Sequence, residues 1–256
     1  MEAINRGVAY YIKIYAMLLG IESKRGIYMS ERLALDKNYL LELIARINTR
    51  DKQFTISTET TSYKALREAE NLTDSTLFPI LQEIIEGHEG KKKEKREIRD
   101  AAYFIFGRLM QKSFNQDACI FFLKRLEVET DKHVLCSMLE RVKDWWKLSE
   151  ITLPADLDIL PILGLARSDV HQVRYSAIVA LGACPRKESR NVLAYYLTQE
   201  DEKKYKYEIY YANIAMQGIG EPEDIPLLER FVKSRKPDIK MTAQYAIQFI
   251  RERNGL

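Results

Sequence analysis

The sequence predicts an all-α protein: a right-handed α-solenoid of about five helix pairs behind an irregular helical segment at the N-terminus. Three observations carry this expectation. Glycine and proline are sparse, 11 and 7 among 256 residues, which disfavours a turn-rich β architecture. From residue 72 onward, apolar residues recur at helical spacing. One helix pattern is then written again and again, with equivalent small positions Ala102, Met138, Ala177, Ala212 and Ala243 recurring about every 31–39 residues. A period of that length belongs to a helix-pair repeat, in which each unit buries its apolar face only by stacking on its neighbours.

The elements follow in order. "AINRGVAYYIKIYAMLLG" (3–20) reads as a mostly apolar helix. Its apolar part, residues 8–21, is too short to span a bilayer and is interrupted by Lys13, so a buried helix is expected, with a membrane-surface helix as the minor alternative. "KNYLLELIARI" (37–47) places Leu40, Leu43, Ile44 and Ile47 on one helical face. The Thr- and Ser-rich stretch 50–62 reads as a loop with room for a short extended piece, and 62–72 as a short helix. Residues 1–71 are therefore expected to form an irregular N-terminal cap, and residues 72–256 the solenoid.

Thr73 or Asp74 is placed to cap a helix over 75–87, with Gly87 as its stop. The charged stretch 88–96 then reads as a connection. Helices over 97–110, 133–146, 172–185, 208–222 and 239–250 share one frame. Each is preceded by an amphipathic partner: 75–87, 117–127, 157–166, 189–199 and 224–234. Alanines at 102, 177, 212 and 243 are expected where backbones cross closely.

Two stretches carry a family resemblance. One is Asp169 with Val173-Arg174, Ala177 and Ala180-Leu181-Gly182. The other is Ala215-Met216-Gln217-Gly218-Ile219-Gly220-Glu221-Pro222. Over residues 72–253 the chain resembles the HEAT-repeat family in its short bacterial form. The resemblance implies a superhelix with the second helices on the concave side. It also implies a structural role for the Arg column, here Arg99, Leu135, Arg174, Ile209 and Lys240, which is interrupted at two units. Arg174 is accordingly expected to pair with Asp169 or with an adjacent unit's loop.

Composition narrows the function. The net charge is +3, from 40 basic and 37 acidic residues, which gives a nucleic-acid role little support. Cys119, Cys136 and Cys184 are far apart and form no CxxC pair, as expected of reduced, mostly buried thiols in a cytoplasmic protein. His88, His133 and His171 belong to no metal motif, and His133 with Cys136 supplies at most two ligands. No phosphate-binding glycine loop or nucleophile elbow is present. No catalytic residue, metal or cofactor is expected.

The expected function is a non-enzymatic protein–protein interaction module, an adaptor, regulator or inhibitor that binds through the curved surface. Its candidate partner-binding residues are Arg141, Lys143 and Trp146, beside a Trp145 expected in the core, and Tyr207, Tyr210 and Tyr211 in a Tyr-rich end. Lys91, Lys92, Lys93, Lys95 and Arg96 form a candidate phosphate-contacting loop, with a solvated connection as the simpler reading. The alternative is a nucleic-acid-binding protein similar to the HEAT-type alkylpurine DNA glycosylases, for which Asp144, Trp145 and Trp146 supply ingredients without that family's spacing. A bilin-lyase-like accessory role is a remote third.

Overall fold

The computed structural model describes residues 36–51, 56–148 and 157–256, and for residues 146–148 the backbone only. The expected helix at 3–20 lies outside the described residues. Everything described is helix, turn or loop, and no strand occurs among the described residues.

Helix α1 spans residues 36–47 and buries Leu40, Leu43 and Ile44. Helix α2, Thr61–Glu70, starts where the Thr60 side chain accepts the Tyr63 N–H. Glu68 of α2 ties the two helices together by accepting from Arg46 Nη1 and Nη2 at 2.8 and 3.0 Å and from the Tyr39 hydroxyl at 2.8 Å. Of the 50–62 loop, the described part holds a 3-10 turn at Ser57–Glu59.

Among the described residues ten α-helices follow: α3 Phe78–Gly87, α4 Lys93–Lys112, α5 Gln116–Val128, α6 Lys132–Leu148, α7 Leu160–Leu165, α8 His171–Leu181, α9 Lys187–Leu197, α10 Lys206–Ile219, α11 Ile225–Glu229 and α12 Pro237–Asn254. They pack in two rows, and α3, α7, α9 and α11 each also pack on the helix that follows them in the chain. The second helices α4, α6, α8, α10 and α12 lie side by side in chain order, and the first helices α3, α5, α7, α9 and α11 form the other row. One apolar core runs between the rows from Leu40 to Ile250.

The small-residue column sits where the sequence places it. Ala102, Met138, Ala177, Ala212 and Ala243 are fully buried. Trp145 is buried too, its ring 4.5 Å from that of Phe122 in α5. Asp74 caps the turn before α3 by accepting the Thr76 N–H, and α3 ends at Gly87.

Two local expectations are corrected. The charged connection is shorter than its composition suggests: α4 begins at Lys93, because lysine, glutamate and arginine are good helix formers and Ile98 and Arg99 anchor the turn that follows. Of the partners expected for Arg174, Asp169 or an adjacent unit's loop, neither is the one found: it pairs with Glu208 on a helix of the adjacent unit, at 2.7 and 2.9 Å, and its Nη1 also donates to the Ser168 carbonyl. Glu208 is buried on α10 of the next pair, so the bond joins two units.

The same kind of join recurs. Arg99 reaches Glu129 at 2.8 and 2.9 Å and the carbonyls of His88 and Gly90. Arg190 reaches Asp224 and Glu223, and Arg230 the Leu197 carbonyl. At the interrupted positions Leu135 and Ile209 are buried, so apolar packing replaces the ion pair, while Lys240 is exposed.

Candidate interaction surface

The surface begins with a close approach. A Cβ on Gly218 of α10 would lie 2.2 Å from the Gly182 carbonyl oxygen at the end of α8. A Cβ on Gly182 would lie 2.6 Å from the Ala215 Cα. Glycine at both places lets the two backbones meet, which draws the outer faces of α8 and α10 into one sheet of side chains.

Helical register decides what that face carries. In each second helix the column residue is buried in the core. Residues two before and two after it fall on the opposite side, and on the longer α12 the residue six after adjoins them. On α8 and α10 these are Tyr175 and Val179, and Tyr210 and Ile214; on α12 they are Met241, Tyr245 and Phe249. Tyr207 joins them from the first turn of α10, its ring 5.7 Å from that of Tyr175. Tyr175 also meets Tyr211 at 5.2 Å and His171 at 5.8 Å.

About half of each large apolar residue here is open to solvent: 52% of Tyr207, 49% of Met241, 48% of Tyr245 and 47% of Phe249. Clustered apolar exposure of this kind marks a binding surface more often than scattered single residues do. Tyr210 and Tyr211 differ from Tyr207. Both are half buried, pack on the core and form an edge-on ring pair at 5.1 Å.

The same columns change character on α4 and α6, where they read Asp100, Phe104 and Arg108, then Cys136, Glu140 and Asp144. Asp144 lies 3.4 Å from Arg141 and 3.8 Å from Arg108, and Arg108 also reaches Glu70 at 3.5 Å. Both guanidinium groups stack near the Phe104 ring, at 5.2 and 5.4 Å. The Arg141 stem fills a slot that Gly107 opens: a Cβ there would touch its Cγ and Cδ at 2.8 Å. Burial pulls the Arg141 guanidinium below its usual pKa, and burial raises the Asp100 carboxyl. Lys143 pairs with Glu140 and lies 4.0 Å from Asp144. The Trp146 side chain lies outside the described residues.

The basic run is split between two environments. Lys91 and Lys92 sit in the connection, while Lys93, Lys95 and Arg96 are in the first turn of α4. Lys93 lies 3.7 Å from Glu97, Arg96 lies 3.9 Å from Asp131, and Lys95 donates to the Glu89 carbonyl. These neighbours neutralise or occupy three of its five cations.

An open cleft of about 740 Å³ adjoins the tyrosine face, between the α7–α8 turn and the α9–α10 loop. Arg174 and Glu208 line it together with Arg167, Asp169 and Lys204, and Tyr195 and Tyr205 supply aromatic walls. Tyr196 is fixed there by its hydroxyl donating to the Ala166 carbonyl at 2.7 Å.

The thiols are packing groups. Burial pushes Cys119 up to about 12 and raises Cys184 as well, so both stay protonated at neutral pH. Among the described residues no His, Cys, Asp and Glu side chains gather as a metal site, and no helix is long and apolar enough to cross a membrane. Compared with known proteins, the chain matches no family model and no curated protein.

Sequence reasoning reached Tyr207, Tyr210 and Tyr211 through composition alone. It missed Tyr175, Val179, Ile214, Met241 and Phe249. For four of them the signal was present: Tyr175 and Met241 stand two before, and Val179 and Ile214 two after, the buried alanine of their helix.

Proposed function

We propose that this protein is a HEAT-like α-solenoid of five helix pairs, capped at its N-terminus by residues 1–71, that acts without catalysis as a protein–protein interaction module. Its partner docks on the outer face of α8, α10 and α12. The observation that carries this reading is the set of exposed apolar side chains Tyr207, Met241, Tyr245 and Phe249, joined at the α8 end by the half-buried Tyr175, on helices whose opposite sides are packed in the core. Burying such a stripe stabilises a complex by roughly 25 cal/mol per Å² of apolar area, less the cost of association. Aromatic side chains suit this role because they bring large area at small conformational cost.

The test is capture of partners from the native host, with each captured protein identified and its binding remeasured between purified components. Tyr207→Ala combined with Tyr245→Ala should weaken that binding while helix content and unfolding midpoint persist. Unchanged affinity in the double variant would remove the face from consideration.

A further inference from the structure

We infer that the cleft beside the tyrosine face is the acid-binding end of the same docking surface, and that the partner element it takes is an amphipathic peptide segment with Asp or Glu next to its apolar anchors. This inference rests on the interaction-module reading above and names the chemistry of the partner.

The charges around the cleft are unequal in availability. Glu208 is taken up by Arg174. Asp201, in the α9–α10 loop, accepts the backbone N–H groups of Lys203 and Lys204, both at 2.9 Å, and these bonds hold its carboxyl below the usual range. That carboxylate is spent on shaping its own loop. Asp169 is the remaining carboxylate of the cleft.

Against it stand Arg167 and Lys204; Lys204 also acts through its charge on Asp201, without a close ion pair between the two side chains. Lys204 lies over the Tyr205 ring, with Nζ 4.9 Å from its centre, and Lys206 over the Tyr207 ring at 5.2 Å. Cations held on ring faces keep their donors free to meet an incoming carboxylate. The arginine adds a planar fork that matches a carboxylate with two parallel bonds.

Position links this end to the apolar stripe. Arg174, which lines the cleft, lies 5.5 Å from the Tyr175 ring, and Tyr175 begins the stripe. One segment can therefore lay apolar residues on Tyr175, Tyr207 and the α12 side chains while its acidic residues enter the cleft. A nucleic acid fits this surface less well. Val179, Ile214 and Met241 offer nothing to a phosphate backbone, and the far border carries Asp238 and Glu252 on α12.

A selection from a library of short random displayed peptides, made against the purified full chain, tests this. Enriched peptides should combine apolar residues at helical spacing with Asp or Glu at one end. Arg167→Glu with Lys204→Glu should weaken the selected peptides by about tenfold or more, more steeply at low salt, and leave the fold unchanged. Enriched peptides that lack an acidic bias, or bind the double-charge variant as tightly, overturn this inference and leave the module reading standing. Selection that is indifferent to Tyr207→Ala with Tyr245→Ala overturns the module reading itself. Tighter binding of a labelled single-stranded or duplex oligonucleotide than of any selected peptide, abolished by the charge variant, overturns the peptide assignment in favour of nucleic acid.

Discussion

Gly218 of α10 rests against the carbonyl oxygen of Gly182 at the end of α8, so close that a single methyl group at 218 would fall 2.2 Å from that oxygen. Backbone meets backbone here, and no flexible side chain is available to yield. Gly218→Ala should destabilise the protein by about 1–3 kcal/mol, as overpacking does. Urea unfolding measures it, and a midpoint equal to wild type would show that α8 and α10 do not make this contact.

Ala177 is fully buried in the middle of α8, where the second-helix row crosses the first. Ala177→Leu adds three carbons to a filled site and should cost about 1–3 kcal/mol. The same unfolding measurement applies, and equal stability would refute the packing assigned to the small-residue column.

Arg99 and Glu129 form a buried pair, with both side chains only 3% exposed. Glu129 also accepts the N–H groups of Thr130 and Asp131, so it holds the loop into α6. Glu129→Ala strands a buried guanidinium and should cost about 3–5 kcal/mol, whereas replacing both partners with apolar residues should cost less. A double-mutant cycle in urea separates the two, and additive single and double effects would contradict the coupling.

Alkaline pH should weaken the fold. Burial raises Cys119 from 9.0 to about 12 and Tyr103 from 10.0 to about 12, so the folded chain holds protons that the unfolded chain releases. The stability tied to these groups is complete below pH 9 and is lost as pH rises toward 12. The urea midpoint should fall across that window, and Cys119→Ala should flatten the fall. A midpoint constant from pH 8 to 11 would contradict it. In the native state Cys136, which is half buried, should react with a thiol reagent before Cys119 and Cys184 do.

Tyr207 and Tyr211 are neighbours on α10 with different expected phenotypes. Tyr207→Ala should reduce partner binding at little cost in stability, because half of its surface is open. Tyr211→Ala should lower the unfolding midpoint, because its ring packs on the core and on Tyr175. Equal effects of both on stability would show that the two rings share one environment.

How much of this was written in the chain depends on the kind of interaction. The helix pairs, their order and the buried column at Ala102, Met138, Ala177, Ala212 and Ala243 were legible, because helical periodicity and repeat spacing are local properties that each segment carries alone. Gly87, Asp74 and the buried Trp145 were legible for the same reason. Arg174 shows where that stops. Asp169 or a loop of the adjacent unit was the expected partner, and Glu208, on a helix of that adjacent unit, holds it, because only the stacking of α8 on α10 brings that carboxylate within reach. The stripe from Tyr175 to Phe249 and the cleft between two loops were likewise decided by the tertiary structure. Their residues lie on different helices, and it is the approach at Gly182 and Gly218 that turns separate periodic patterns into one surface.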